Sequence, residues 1–308
     1  MLTIDWNFTI KRNIFILQLL GLWPQEDEVY KLNLYSIYAF VSIVVIMGGH
    51  NFFQTVNICF VYKDLEALAT TIFITSTEVL VLVKVYFFTQ NIGRLKKLLS
   101  SLKKDVFQPR NERQVEMIKP ILNFWKNVHG SFMFIVVSTI IVQSINKNQL
   151  PFSAWYPYDY TISPLYELTY LYQVVGMWYI ALSNVNIGTL FYALLTYVVV
   201  QCDILCDDCK NLTGPLISNQ RIISCIKHHK EILSFSESVN DLFEMVILGQ
   251  FVTSTIVIAT TLFMLTLVDP LSKEGLITVL YAMAVITEIF IYCWFGNQVD
   301  LKVSSVLS

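Results

Sequence analysis

The sequence predicts an all-α protein, a polytopic membrane bundle that crosses the bilayer six times with its N-terminus in the cytoplasm. Three observations predict it. Hydrophobic residues make up 55% of the chain and charged residues only 14%, where a soluble domain carries about 25% charged residues, and the mean hydropathy is +0.57. Six stretches are long and apolar enough for the roughly 20-residue helix that spans a bilayer core of about 30 Å. Lys and Arg, finally, collect on one side of those stretches. A net charge of -2 leaves no basic excess to attract nucleic acid. Short segments of alternating polarity, the mark of an outer-membrane barrel, are not the pattern.

The spans are expected at 34–60, 65–89, 128–145, 168–201, 243–268 and 276–295 of a single transmembrane domain. All 8 prolines fall outside these stretches, so no span is expected to kink at proline. Trp155, Tyr156, Tyr158 and Tyr160 precede the fourth span, where amphipathic rings suit the headgroup zone. Seventeen of the 21 Lys and Arg lie before span one, between spans two and three, between spans four and five, or after span six. Only Lys63, Lys147 and Lys273 lie on the other side, and Lys84 lies within span two. The excess marks the cytoplasmic face. Both N-x-Ser/Thr sequons, at Asn7 and Asn211, fall on that face, out of reach of glycosylation. Lys11-Arg12 followed by 14–20 imitates a signal peptide, but no small-x-small cleavage site follows. The segment is expected to stay as an amphipathic helix at the inner surface.

Two cytoplasmic segments are too long for turns. In 91–127, Leu95, Leu98, Leu99 and Leu102 recur at helical spacing, so span two is expected to continue beyond the membrane as an amphipathic helix. Its basic residues follow from topology rather than from a lipid or nucleic-acid partner. In 202–242, Ile223, Ile226, His229 and Leu233 form a similar face leading into span five. Spans four and five are expected to project into the cytoplasm and pack there, a place for subunit contact.

The chemical motifs are weak. Cys202, Cys206 and Cys209 reproduce the C-x3-C-x2-C spacing of a radical-enzyme iron-sulfur site, but at the end of an apolar helix rather than on a barrel loop, so reduced cytosolic thiols are the better reading. His228 and His229 point about 100° apart on a helix, a poor geometry for one metal. No Ser/His/Asp set, phosphate-cradling loop or H-E-x-x-H occurs. No enzyme, cofactor or metal is expected. Within the spans the ionisable residues needing an explanation are Glu78, Lys84 and Glu288, since a charge at mid-bilayer costs about 2.5 kcal/mol or more unless paired or hydrated. Lys84 is placed to snorkel to the inner surface, Glu78 to face a polar interior, and Glu288 to join the intracellular base.

Three segments together carry a resemblance: Leu19-Leu20-Gly21-Leu22-Trp23-Pro24 before span one; the aromatic loop from Leu150-Pro151 through Trp155, Pro157, Ser163-Pro164 and Tyr166-Glu167 to Tyr170 and Gln173; and Tyr292-Cys293-Trp294-Phe295-Gly296-Asn297 at the end of span six. In order and spacing they resemble insect odorant receptors, over essentially the whole chain. The resemblance implies a seven-transmembrane odorant-gated cation channel in the cell membrane of an olfactory sensory neuron. It would be a heterotetramer with a shared odorant receptor co-receptor, and this chain would be a tuning subunit taking a small volatile odorant. Family members carry a seventh, pore-lining span; only 298–308 remain after Asn297, too few to cross a membrane, so the chain reads as six of seven spans. The family's pocket lies in the outer half of spans two, three, four and six. By position it implies Phe73 and Thr77; Thr139 and Gln143; Tyr170, Gln173, Val174 and Met177; and Leu280, Tyr281 and Ala284. Gustatory receptors share the architecture and are the nearest alternative. A G-protein-coupled receptor would need an external N-terminus, and a transporter would be expected to show paired broken helices or repeats.

Overall fold

The structure, a computed structural model, describes residues 4–24, 30, 33–144, 150–212, 219–267 and 272–307. Thr213 and the side chain of Asn7, which belong to the two sequons, lie outside the described residues, as do Lys147 and the side chain of Lys273. The described residues are helical without strands, and six helical segments are long and apolar enough to cross a membrane.

Span one combines α2 (Leu34–Val41), a π-helical stretch (Ser42–Gly48) and α3 (Gly49–Val61). It is amphipathic in the inverted sense of a membrane helix. His50, Asn51, Gln54 and Asn57 are buried, whereas Val44, Val45, Phe52 and Phe60 are exposed. A face of polar side chains survives at membrane depth only if other helices cover it, and spans two and four do so. Span two is α4 (Leu65–Gln90). It packs most extensively on span five.

Span four, α7 (Leu165–Lys210), is the axis of the bundle: most of its own residues are buried from Gly176 to Leu205. At about 1.5 Å per residue its 46 residues measure roughly 70 Å, and the 49 residues of α8 (Asn219–Leu267) slightly more. Each is about twice the bilayer core. The end of α7 and the start of α8 therefore form an intracellular base, joined there by α9 (Lys273–Leu307).

The N-terminal helix α1 (Asn7–Leu19), expected at the inner surface, is packed against the bundle. Trp6, Ile10 and Leu17 are buried, because α1 docks on the cytoplasmic half of span four: Asn13 donates to Thr189 Oγ1 at 2.6 Å, Tyr197 OH donates to the Trp6 carbonyl at 2.8 Å, and Trp6 and Tyr197 meet edge to face. The turn that follows requires a glycine. Gly21 has φ +80°, and a Cβ there would lie 2.9 Å from Ala39 Cα. Tyr35 and Tyr38 then hold the Leu19–Pro24 stretch by hydrogen bonds to the carbonyls of Gln18, Trp23 and Leu19.

The segment between spans two and three divides differently from the sequence expectation. Span two ends at Gln90; α5 (Ile92–Ser101) buries Ile92, Leu95, Leu98 and Leu99 as a separate amphipathic helix. After a short 3-10 turn, α6 begins at Glu112 and runs unbroken to Ser144. Pro120 therefore does fall inside a helix. The helix tolerates it because Pro120 and Glu116, whose carbonyl loses its donor, both sit on the exposed face where water can bond that carbonyl. The basic residues of this segment are partly used by the base: Arg110 pairs with Asp208, Arg113 with Asp207 and Lys104 with Glu231. Gln114 donates to both Asp207 and Asp208.

In the cytoplasmic part of α8 the expected inner face is the outer one. Ile223, Ile226 and Leu233 are exposed, and Cys225, His228, Ile232 and Phe235 are buried instead. Polar His228 takes an interior position because Gln201 of span four accepts its Nε2–H at 2.9 Å. Gln201 in turn donates to the Phe107 carbonyl at 3.0 Å. Lys84 also departs from expectation. It does not snorkel but is fully buried, donating to Asn184 at 2.7 Å and to Glu288 at 3.1 Å. Two polar partners at membrane depth satisfy the ammonium without the bend toward water that snorkelling needs.

Candidate functional site

The outer half of the bundle contains a second, smaller core. Ile140 of span three, Phe152 of the loop before span four, and Met177 of span four are buried together, with Ile74, Val136, Trp178 and Ala181 packed around them. Next to it, spans two and six meet through Phe73 and Tyr281, whose ring centroids are 4.2 Å apart. Thr77 directs its hydroxyl to the Phe73 carbonyl at 3.2 Å, which leaves its oxygen to accept from Tyr281 at 2.7 Å. Apolar walls with a few oriented hydroxyls are the usual composition of a small-molecule site.

The residues expected from position separate into groups. Phe73, Thr77 and Tyr281 touch one another, and Met177 joins the adjacent core. Val174 and Ala284 are half-buried. Thr139 is exposed, its hydroxyl turned back to the Ile135 carbonyl, and Leu280 is 68% exposed on the outer surface of span six. The structure does not bring these two into the group. The side chain of Gln143 lies outside the described residues.

Gln173 and Tyr170 hold the roof. Gln173 is fully buried; its carbonyl accepts from Phe152 N at 3.0 Å, and its amide donates to the Phe152 carbonyl and to Tyr156 OH. Each polar atom of that side chain is thus committed to the loop. Burial raises the Tyr156 phenol to about 12, against the opposing pull of the Gln173 bond, so it stays protonated. Tyr170 OH donates to the Ser144 carbonyl, fastening span four to the outer end of span three. Trp155 N donates to the Phe53 carbonyl and Asn57 to the Ser153 carbonyl, so the same loop is also tied to span one.

Below the roof lies a polar pair. His50 Nδ1 stands 3.1 Å from Glu78 Oε2, with both side chains buried, and the His50 ring is edge-on to Phe152 at 5.8 Å. Ile74, one turn before Glu78 on the same helix, belongs to the apolar core above. Our sequence reading singled out Glu78 and missed His50, although a histidine within an apolar span is itself an intramembrane ionisable group. Span four makes room for it: a Cβ at Gly176 would lie 2.6 Å from His50 Cδ2. Elsewhere the cysteines are free, and among the described residues no group of His, Cys, Asp and Glu could hold a metal ion.

The described residues thus form a multi-pass helical bundle with a second apolar core beneath an ordered outer loop and a long-helix intracellular base. The family model described as 7tm Odorant receptor matches residues 64–307, and the chain belongs to that family, one of receptors rather than enzymes. Among curated relatives, Odorant receptor Or1 of Anopheles gambiae is 27% identical, over 96% of this chain and 80% of the relative. Odorant receptor 46a, isoform A, of Drosophila melanogaster is 23% identical, over 93% of this chain and 78% of the relative. Among solved structures, the olfactory receptor OR5 of Machilis hrabei superposes with a TM-score of 0.84 at 20% identity, covering 98% of this chain and 83% of that one. OR5 in complex with eugenol superposes at 0.82 with 18% identity, covering 98% and 89%.

Proposed function

We propose that this chain is the odorant-binding subunit of an odorant-gated cation channel in the cell membrane of olfactory sensory neurons, assembled with a shared co-receptor. The observation that carries the ligand site is the meeting of Phe73, Thr77 and Tyr281 beside the Ile140, Phe152 and Met177 core, under a loop pinned by Gln173. Such a lining suits a small volatile. Burial contributes about 25 cal/mol per Å² of apolar surface, and the Thr77 and Tyr281 hydroxyls supply orientation. Apolar walls discriminate weakly, about 1–3 kcal/mol per methylene, so tuning is graded rather than absolute. The binding of eugenol, a small phenol, by OR5, a protein of this fold, supports the ligand class.

Gating requires a ligand that favours the open arrangement, since equal affinity for two states shifts no population. Spans two and six face each other at two polar contacts, Thr77 with Tyr281 and Lys84 with Glu288, separated by two helical turns. In our reading, displacement at the first is passed down span six toward the base. Exposed Ile223, Ile226 and Leu233 at the base are the surface for the co-receptor. The test is co-expression with the co-receptor and recording of cation current under a panel of volatiles, alongside equilibrium binding to the purified chain in nanodiscs. Saturable binding that Tyr281→Ala and Met177→Ala weaken is expected. Binding indifferent to both substitutions would reject the assigned site.

A further inference from the structure

Span one departs from the α-helix just before its polar face begins. At the end of the π-helical stretch Ser42–Gly48, the backbone N–H of Gly49 donates to the carbonyls of Val44 and Ile46, whereas an α-helix would send it to Val45. The Val45 carbonyl instead accepts from Tyr172 OH of span four at 2.8 Å. That hydroxyl reaches the backbone because residue 49 is a glycine: a Cβ there would lie 2.5 Å from Tyr172 Oη. One turn further along span four, Gly176 leaves room for the His50 ring, which a Cβ would meet at 2.6 Å. Tyr172 thus stands over the irregular turn, its ring also 6.2 Å from that of His50 and 6.3 Å from that of Phe53.

A π turn holds one residue more than an α turn. Residues beyond it therefore take the angular positions that their predecessors would have in an unbroken α-helix, a rotation of about 100°. Three buried polar residues depend on that rotation: His50, Gln54 and Asn57 share one stripe of span one, and Thr71, Thr75 and Glu78 form a buried stripe of the same spacing on span two. The His50–Glu78 contact and the Asn57 bond to the outer loop fix them in this register. Without the extra residue the stripe would turn away from span two, and polar side chains left without cover at membrane depth are costly. We propose that Tyr172 is the positioning residue that sets the register of span one: its hydroxyl replaces the amide that the π turn withdraws from Val45, and so retains the extra residue. This holds whichever member of the His50–Glu78 pair carries the proton. Its bearing on ligands rests on the odorant-binding reading above, since His50 is edge-on to Phe152 of the outer core.

The experiment is thiol cross-linking of the purified full chain in nanodiscs, its 6 native cysteines changed to serine. His50→Cys with Glu78→Cys reports the register. Asn13→Cys with Thr189→Cys, whose native side chains meet at 2.6 Å, reports the fold elsewhere. A short bifunctional thiol reagent joins each pair. Losing one hydrogen bond shifts the balance between two registers by about twofold to tenfold, so Tyr172→Phe should lower the yield at positions 50 and 78 by that factor and leave the reference pair alone. Deleting Val45 removes the extra residue itself. The deletion should keep the yield at its wild-type level, and Tyr172→Phe should then have no further effect; in a continuous α-helix the same deletion would rotate the outer half by about 100° and abolish the link. An undiminished yield in Tyr172→Phe would overturn the proposal, as would loss of the link in the deletion chain with the reference pair intact. If Tyr172→Phe weakened the reference pair too, the deletion alone would decide. Odorant affinity is read separately: under the odorant-binding reading it falls with Tyr172→Phe and returns with the deletion. Absence of any volatile binding would reject that reading and leave the register assignment, which the cross-links decide, in place.

Discussion

Span two carries two buried ionisable residues less than two turns apart, and they are treated in opposite ways. Lys84, toward the cytoplasm, is fully buried and saturated: Asn184 of span four accepts at 2.7 Å and Glu288 of span six at 3.1 Å, so one ammonium joins three helices. Glu78, toward the outside, meets one histidine, and unpaired polar atoms surround the pair. The difference is one of role. Lys84 ties three helices together through its partners, whereas the buried His50–Glu78 contact leaves His50 Nε2 and Gln54 Oε1 without partners among the described residues.

Breaking the saturated site should have the largest effect. Lys84→Met leaves Glu288 as a buried carboxylate without its cation, at a cost of about 3–5 kcal/mol; melting of the detergent-solubilised receptor should fall accordingly. Lys84→Met combined with Glu288→Leu should recover most of that loss, because an apolar pair of similar volume replaces a buried ion pair at little net cost. Glu78→Gln, by contrast, keeps an acceptor for His50 and should cost only about 0.5–1.5 kcal/mol. Equal losses at the two positions would abolish the distinction between them.

How far the sequence carried this picture depends on whether a feature is local. Span existence follows from apolar length, and the internal polarity of Glu78 from its depth in a span. The saturation of Lys84 was not legible, since both acceptors are at least 100 positions away in the chain and helical depth alone gives only the snorkelling option. Ile223, Ile226 and Leu233 show a second limit. Their spacing defines a face of α8 correctly, but spacing does not say whether protein covers that face, and here it does not. Leu280 is likewise on a face that this chain leaves exposed. His50 was visible throughout; it was passed over because only carboxylates and lysines were sought within the spans. The Gln173 contact with Phe152 was not legible either, because it depends on how the outer loop folds back.

The next effect in size tests whether the outer pair depends on span four. Gly176→Ala places a methyl 2.6 Å from His50 Cδ2, and overpacking of this kind costs about 1–3 kcal/mol. The imidazole ring must swing from span four, which lengthens its bond to Glu78. Ligand binding should weaken more than stability does, measured as dissociation constant against melting temperature in the same preparation. A loss of stability with affinity intact would place the His50–Glu78 pair outside the ligand site. Tyr281→Phe is milder: it removes one hydroxyl and its bond to Thr77, for about 0.5–1.5 kcal/mol, and affinity for hydroxylated volatiles should shift while that for hydrocarbons stays nearly constant.

The smallest effect concerns the base and comes from pH. His228 is buried on the cytoplasmic part of α8; burial foremost, then the charges of Arg110 and His229, lower it from 6.5 to about 4. The folded protein thus holds His228 neutral where the unfolded chain would protonate it. The unfolded state binds more protons between about pH 6.5 and 4, so the stabilisation is fully present above 6.5 and is lost as pH falls through that window. One proton changes stability by at most about 1.4 kcal/mol per pH unit, which keeps the loss at pH 6 under about 1 kcal/mol. His228→Gln retains a side chain able to bond Gln201 and has no proton to gain, so its melting temperature should decline less between pH 7 and pH 5 than that of the wild type. Parallel pH profiles for the two proteins would mean that acid sensitivity does not arise from His228.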